Sequence, residues 1–313
     1  MRAVVVPRAA QPELELAERS PPGITRSQCL VRVRAASVNP VDWKLFGRRT
    51  RLLLWPLLPQ IPGFDVCGVV EATGAGVERF RPGDWVYALL DRRLGGAYAE
   101  YAVVGEDAAA RKPEALSPEE AAAVPLAALT ALQALRIRAE PRPGERVLVV
   151  GASGGVGHFA VQIARAMGAE VDGVCGTDHV DMVRGLGAAR VIDYRKEDPL
   201  AIGERYRVVF DAVGKGPAGG YARLLEPGGT YVTTLPSLGS MVEAMRLVVT
   251  SRRRVRHILT RPSGRELEEI ARWIDEGRVR PVVDRRYPLA QAAEAWRYSR
   301  EGHAGGKIVI GVD

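Results

Sequence analysis

The chain carries 313 residues, 47% of them apolar, with 44 Lys and Arg against 37 Asp and Glu for a net charge of +7. This length predicts two domains, and the lack of any run of about 18 apolar residues argues against insertion in a membrane. The basic excess raises nucleic acid as a partner, but the densest run, Arg252 to Arg256, has no interleaved aromatics and no nucleic-acid module is recognisable; it reads as a solvated stretch leading into a strand.

From the N-terminus, short apolar runs bounded by Gly and Pro predict strands over Arg2–Pro7, Gln28–Ser37, Val66–Thr73, Trp85–Leu89 and Ala97–Val104, an all-β pattern. The apolar part of the first is too short for a signal peptide, which predicts a cytoplasmic protein. Cys29, Cys67 and Cys175 are odd in number and lack C-x-x-C spacing, so they should pack as small hydrophobes rather than form disulfides or a metal cluster. Leu52 to Leu58 reads either as a hydrophobic lid or wall or as an ordinary buried segment. Ser117-Pro-Glu-Glu120 marks a helix start, with Ser117 as N-cap, proline next and acids in the first turn.

The most informative stretch follows. Four apolar residues, Val147 to Val150, predict a strand; Gly151, Gly154 and Gly157 predict a tight turn; Phe159, Ile163 and Met167 then recur at helical spacing. Such a turn admits a pyrophosphate, because glycines let backbone N–H groups approach the anion and the helix start adds partial positive charge. The spacing is G-x-x-G-x-x-G rather than the common G-x-G-x-x-G. Further units, strand Glu170–Val174, helix Val180–Leu186 and strands Arg190–Asp193, Arg207–Asp211 and Gly229–Thr234, predict a parallel, doubly wound sheet.

An acid about 20 residues past the glycines would bind the ribose 2′-hydroxyl of NAD. Gly176 occupies that place, although Asp178 is close by, and NADP(H) is the expected cofactor. His179 and Tyr194 are candidate donors to a 2′-phosphate; otherwise His179 is a solvated helix-start residue and Tyr194 a half-buried strand end. Beyond the last nucleotide strand come a helix over Arg265–Glu276, a β segment over Arg280–Arg286, a helix over Ala290–Tyr298 and a strand over Lys307–Val312. The expected division is a catalytic domain over 1–117, a nucleotide domain over 118–262 and a return to the first domain over 263–313.

The order of motifs resembles the zinc-independent quinone oxidoreductases of the medium-chain dehydrogenase/reductase superfamily. It is carried by Ser37-Val-Asn-Pro-Val-Asp-Trp-Lys44, Pro62 to Val70, Gly95 to Tyr101, Ala123 to Gln133, Gly151 to Gly157 and Gly302 to Ile308. Ala152 to His158, Cys175-Gly176 and Gly302-His-Ala304 look most like the chloroplast-envelope quinone oxidoreductase homologues and alkenal or enone reductases. The resemblance implies an α/β protein with a GroES-like β domain, formed by both chain ends, and an inserted Rossmann doubly wound parallel-sheet domain, with the active site between them and a homodimer formed through the strand near Val255–Thr260. It aligns Asn39, Phe64 and Leu126 with the catalytic zinc ligands of the alcohol dehydrogenases, and Val41 with their proton-relaying hydroxyl. A ring and an aliphatic chain offer no lone pair, so no metal is expected.

The same resemblance implies roles residue by residue. Asn39 and Asp42 should line the nicotinamide side of the cleft, although Asn-Pro also starts turns and Asp42 also suits a helix cap. Lys44, Tyr98 or bound water should deliver the proton. Thr130 should approach the pyrophosphate or nicotinamide, and Gly151, Ser153, Gly154, Gly155, Val156 and Gly157 should cradle the phosphates. Val213, within Asp211 to Gly214, should border the nucleotide crevice, and Leu235 with Pro236 should neighbour the nicotinamide amide. Arg300 and Lys307 should serve the 2′-phosphate and the cleft, with Arg300 also readable as a surface charge. The implied reaction is NADPH-dependent hydride transfer to a small-molecule quinone or enone. An NADPH-binding sensor or structural protein of the same fold and a zinc-free alcohol dehydrogenase are the other readings.

Overall fold

The computed structural model describes residues 1–9, 13–91, 95–214, 218–234 and 254–312. The chain forms two compact units, Met1–Leu129 with Arg261–Gly277 and Pro281–Asp313, and Thr130–Thr260 with Arg278–Arg280.

In the first unit β1 (Arg2–Val5) and β2 (Glu15–Glu18) form an antiparallel pair. β3 (Gln28–Val38) alternates buried and open positions over its first half and is buried over its last four residues, so it is the central strand of a larger sheet. β4 (Asp65–Thr73), β5 (Trp85–Leu89) and β7 (Ala109–Arg111) extend that sheet antiparallel on one side, and β6 (Tyr101–Gly105) pairs with β3 as well. The strand expected over Ala97–Val104 starts only at Tyr101. Gly95 and Gly96, at φ of 90° and 141°, turn the chain so that the N–H groups of Ala97 and Tyr98 donate to Gly63 and Pro62 at 3.1 Å each. Ser117 caps helix Pro118–Ala122 as expected, accepting the Glu120 N–H at 3.2 Å while the Glu120 carboxylate accepts the Ser117 N–H at 2.9 Å.

Among the described residues the second unit holds six parallel strands: β8 (Arg146–Val150), β9 (Glu170–Cys175), β10 (Arg190–Asp193), β11 (Tyr206–Asp211), β12 (Leu225–Thr233) and β13 (Arg254–His257). Their order is β10-β9-β8-β11-β12-β13. The order reverses between β8 and β11, and the carboxyl ends of strands at such a reversal are where doubly wound sheets place ligands. Near-continuous burial of β8 and β11 fits strands covered on both faces. Helix Gly157–Ala166 follows β8. The basic run does not merely precede a strand: Arg254 to Arg256 belong to β13, while Arg252 and Arg253 lie outside the described residues.

The chain then returns to the first unit with helix Gly264–Asp275, whose Leu267, Ile270 and Ile274 are buried at the spacing of one helical face. β14 (Val283–Pro288) replaces the segment expected over Arg280–Arg286, and helix Ala292–Glu301 begins after a 3-10 turn at Leu289–Gln291. β15 (Lys307–Gly311) lies between β14 and β3. The three cysteines are free and buried, and burial raises the Cys29 and Cys175 thiols to about 11 and the Cys67 thiol further. Among the described residues no helix is long and apolar enough to cross a membrane.

Candidate active site

Strand register assembles a buried polar cluster in the first unit. β3 and β4 pair Ser37 with Asp65, and β15 pairs Ile308 with Val38, so Lys307 falls one step further along, opposite Asn39. The Asp65 Oδ2 accepts hydrogen bonds from the Ser37 hydroxyl at 2.7 Å, the Asn39 side-chain amide at 2.8 Å and the Lys307 ammonium at 3.3 Å. Lys307 also donates to Asn39 Oδ1 at 2.6 Å, and Asp65 Oδ1 accepts the Leu126 backbone N–H at 2.8 Å. Lys307 is 2% exposed and Asp65 0%. A buried carboxylate and a buried ammonium tolerate this because each has its opposite charge and further hydrogen bonds.

One turn along, Asn39-Pro40 opens helix Pro40–Leu45, and Asp42 Oδ2 accepts the Asn39 backbone N–H at 2.7 Å. The Tyr98 hydroxyl donates to the same oxygen at 2.9 Å and accepts from Trp296 Nε1 at 3.4 Å. Asp42 Oδ1 has no hydrogen-bond partner among the described residues. Burial pushes the Asp42 carboxyl up to about 7, and burial together with the Asp42 charge holds the Tyr98 hydroxyl well above its usual range. Asn39, Asp42, Tyr98 and Lys307 are therefore joined in one network, and Asp42 takes the helix-start contact as well.

Tyr98 is fully buried and its hydroxyl donates to Asp42, so in this structure it supports the helix start rather than presenting a proton at a surface. Lys307 is buried, its ammonium held by Asn39 and Asp65. Lys44, by contrast, is exposed, with Nζ 5.4 Å from the Trp43 ring. Leu52, Leu53, Trp55 and Leu57 are exposed while Leu58 is buried and Leu54 packs against the core, so the segment is core only in part. Asp65 and Trp296 were not singled out from sequence; a carboxylate opening an apolar strand is the signal that would have found the first.

In the second unit each glycine of the turn has a separate reason. Gly151 has φ of 77°, and a Cβ on it would overlap Val213. Gly157 packs so closely on the Gly151 carbonyl that a Cβ there would overlap backbone. Gly154 is different: its Cβ would meet nothing nearer than the Gly151 oxygen at 3.5 Å, so nothing inside the chain requires glycine there. Among the described residues no internal acceptor takes the backbone N–H of Ser153, Gly155, Val156 or Gly157. Open space beside unpaired donors is what an approaching anion needs. Asp211 fixes the neighbouring loop, accepting the N–H groups of Val213 and Gly214 at 2.9 Å each and the Tyr231 hydroxyl at 2.6 Å. The Thr130 hydroxyl lies 2.6 Å from that of Thr260.

At the ends of β9 and β10 a Cβ on Gly176 would stand 3.2 Å from the Tyr194 hydroxyl, so these two residues are neighbours. His179 follows in a 3-10 turn, its N–H on the Gly176 carbonyl at 3.0 Å. Arg300 belongs to the first unit, where Glu13 accepts from both of its terminal nitrogens and the Trp43 ring lies 5.5 Å away. In this structure Arg300 makes a surface ion pair with Glu13. Leu235 and Pro236 lie outside the described residues.

Comparison with known proteins fits these units. An alcohol dehydrogenase GroES-like domain matches residues 25–114, and a zinc-binding dehydrogenase family matches residues 186–310. The chloroplast envelope quinone oxidoreductase homolog of Arabidopsis thaliana is 36% identical over 294 residues, covering 91% of this chain and 89% of that protein. The chloroplastic NADPH-dependent alkenal/one oxidoreductase of the same plant is 34% identical, covering 92% and 73% respectively. The solved quinone oxidoreductase from Coxiella burnetii superposes with a TM-score of 0.88 at 31% identity, covering 100% of this chain and 99% of that one. With a GroES-like unit, a parallel nucleotide-type sheet and relatives matched along nine-tenths of its length, the chain belongs to the medium-chain dehydrogenase/reductase superfamily.

Proposed function

We propose that this protein is an NADPH-dependent oxidoreductase that transfers hydride, without zinc, to a quinone or an α,β-unsaturated carbonyl compound. The observation that carries the zinc-free reading is the Lys307 ammonium bound between Asn39 and Asp65. Of the three positions aligned with catalytic zinc ligands, Phe64 and Leu126 offer no side-chain donor and the Asn39 amide is already engaged at both ends. A cation placed there would face a resident ammonium. Relatives whose names include quinone oxidoreductase and alkenal/one oxidoreductase support the acceptor class.

The residues fit a dinucleotide. The N–H groups of Ser153, Gly155, Val156 and Gly157, without an internal acceptor among the described residues, would hold the pyrophosphate, Gly154 leaving room for it, with Thr130 and Val213 as further contacts. Gly176, His179 and Tyr194 would receive the ribose 2′-phosphate, with no carboxylate at position 176 itself. The bound dinucleotide supplies hydride from nicotinamide C4. Conjugation already activates the acceptor, so the chain's share is orientation and stabilisation of the enolate or hydroquinone anion. The Lys307, Asp65 and Asn39 cluster fixes the start of helix Pro40–Leu45, and Lys44 on that helix or water supplies the proton. Leu52, Leu53, Trp55 and Leu57 suit an apolar acceptor wall. β13 has a strand partner on one side only among the described residues, which suits a homodimer.

Following NADPH absorbance with 1,4-benzoquinone, 9,10-phenanthrenequinone, an alkenal and a simple ketone tests the reading. Turnover of the first three without the ketone is expected. Reduction of the ketone alone would point to a zinc-free alcohol dehydrogenase, and cofactor binding without turnover of any acceptor to a sensor or structural protein.

A further inference from the structure

The carboxyl ends of β9 and β10 carry a charged pair that the glycine-turn argument does not use. Cys175 pairs with Asp193, and the Tyr194 N–H donates to the Cys175 carbonyl at 3.1 Å, so the residues after each strand are brought side by side. Thr177 donates to Asp193 Oδ2 at 2.7 Å, and the Arg195 backbone N–H to Asp193 Oδ1 at 3.0 Å, so Asp193 is consumed in holding the two loops together. The carboxylate left at this edge is Asp178, and the Arg195 guanidinium meets it at 2.9 Å. The pair is open to solvent, Arg195 48% and Asp178 69% exposed. Asp178 and the Tyr194 hydroxyl together hold the Arg195 guanidinium above its usual range.

In a doubly wound sheet this edge is where the adenosine ribose is read. A carboxylate there accepts from the 2′-hydroxyl of NADH and repels the 2′-phosphate of NADPH; a guanidinium does the opposite, and its planar fork matches phosphate oxygens. Here both groups stand at the same place and each neutralises the other. We propose that Asp178 and Arg195 are an opposed pair of specificity-determining residues, Arg195 leaving Asp178 to bind the 2′-phosphate of NADPH. Asp178 then acts against NADPH twice, by its own charge and by competing for Arg195. This rests on the dinucleotide reading of the second unit.

The test compares wild type with Arg195→Gln and Asp178→Asn, both exposed positions whose substitution leaves the core untouched. Two readouts are used: affinity of the apoprotein for 2′,5′-ADP against 5′-AMP by calorimetry, and the ratio of kcat/KM for NADPH to that for NADH. Arg195→Gln should lower both preferences about 10- to 100-fold, the loss of one charge-assisted contact. Asp178→Asn should raise both, although it breaks the same ion pair; a purely structural bridge would make the two variants behave alike. If wild type prefers 2′,5′-ADP and NADPH but Arg195→Gln leaves the preference within twofold, the assignment of Arg195 falls and the NADPH reading stands. If wild type binds 5′-AMP as well as 2′,5′-ADP and prefers NADH, the NADPH reading falls and this assignment with it.

Discussion

The Lys307 ammonium donates to the side-chain oxygen of Asn39 at 2.6 Å, across 268 residues of sequence. Because the Asn39 amide nitrogen is tied at its other end to Asp65, the residue that starts helix Pro40–Leu45 is clamped by groups from two other strands. The helix position therefore draws on a long-range ion pair as well as on its own cap.

Removing the ammonium should be costly. In Lys307→Met the volume is kept, but Asp65 becomes a buried charge whose remaining partners are neutral donors. We expect a loss of about 3–5 kcal/mol, as for other broken buried pairs. The double variant Lys307→Met with Asp65→Asn should lose less than the sum of the two single changes, because no uncompensated charge remains. Urea unfolding of the four proteins checks this, and a single-variant loss under about 1 kcal/mol would reject the buried-pair account.

Asp42 predicts a pH dependence of stability. Its carboxyl rises from 3.8 in the unfolded chain to about 7 when folded, through burial. Between those values the folded state binds a proton that the unfolded state has lost, so stability is highest at the acid end and falls as pH rises through 7. From pH 5 to 8 this removes about 2–3 kcal/mol. Asp42→Asn has no such proton, so the stability of wild type relative to Asp42→Asn should fall by that amount over the same range. Asp65 and Tyr98 face the same group and are present in both proteins, which leaves the difference to Asp42. Parallel pH profiles for the two proteins would contradict it.

What could be read from sequence and what could not divides along contact distance. The Gly151 to Gly157 turn was legible because its strand, glycines and helix are consecutive, and the spacing of apolar residues reports their structure directly. The parallel sheet was legible from alternation of strands and helices. Asp65 was not, because nothing in Pro62 to Val70 says that Lys307, 242 residues later, will be brought within hydrogen-bond reach of it by the register of β15 on β3. The break before Tyr101 was missed for a different reason: Ala97 to Val104 is apolar enough for a strand, but Gly95 and Gly96 rotate the chain at its entry. Arg195 was overlooked beside Tyr194 because an arginine in a loop carries no pattern, and only its pairing with Asp178 gives it meaning.

The three turn glycines should separate stability from binding. Gly157→Ala would force a Cβ into the Gly151 carbonyl, and Gly151→Ala combines positive φ with overlap of Val213, so both should lower the melting temperature markedly. Gly154→Ala meets no atom closer than 3.5 Å and should fold as wild type does. On the proposed function its methyl would stand where the pyrophosphate approaches and weaken NADPH binding. Thermal melts with NADPH fluorescence titrations distinguish the cases. Wild-type affinity in Gly154→Ala would show that the opening beside that residue is not used.

A tetrahedral zinc site needs at least three N, O or S ligands from side chains with free lone pairs. Among the described residues no group of three or more His, Cys, Asp or Glu side chains could hold a metal ion. At the aligned positions Phe64 and Leu126 are apolar, and the Asp65 carboxylate beside them already accepts four hydrogen bonds. Binding zinc there would require displacing Lys307, which leaves an ammonium buried without its carboxylate and costs several kcal/mol before any ligand bond forms. Overnight dialysis against EDTA or dipicolinate should therefore leave the rate of NADPH oxidation by a quinone unchanged, and elemental analysis should find well under one zinc per chain. Loss of activity on chelation, restored by added zinc, would overturn the zinc-free mechanism.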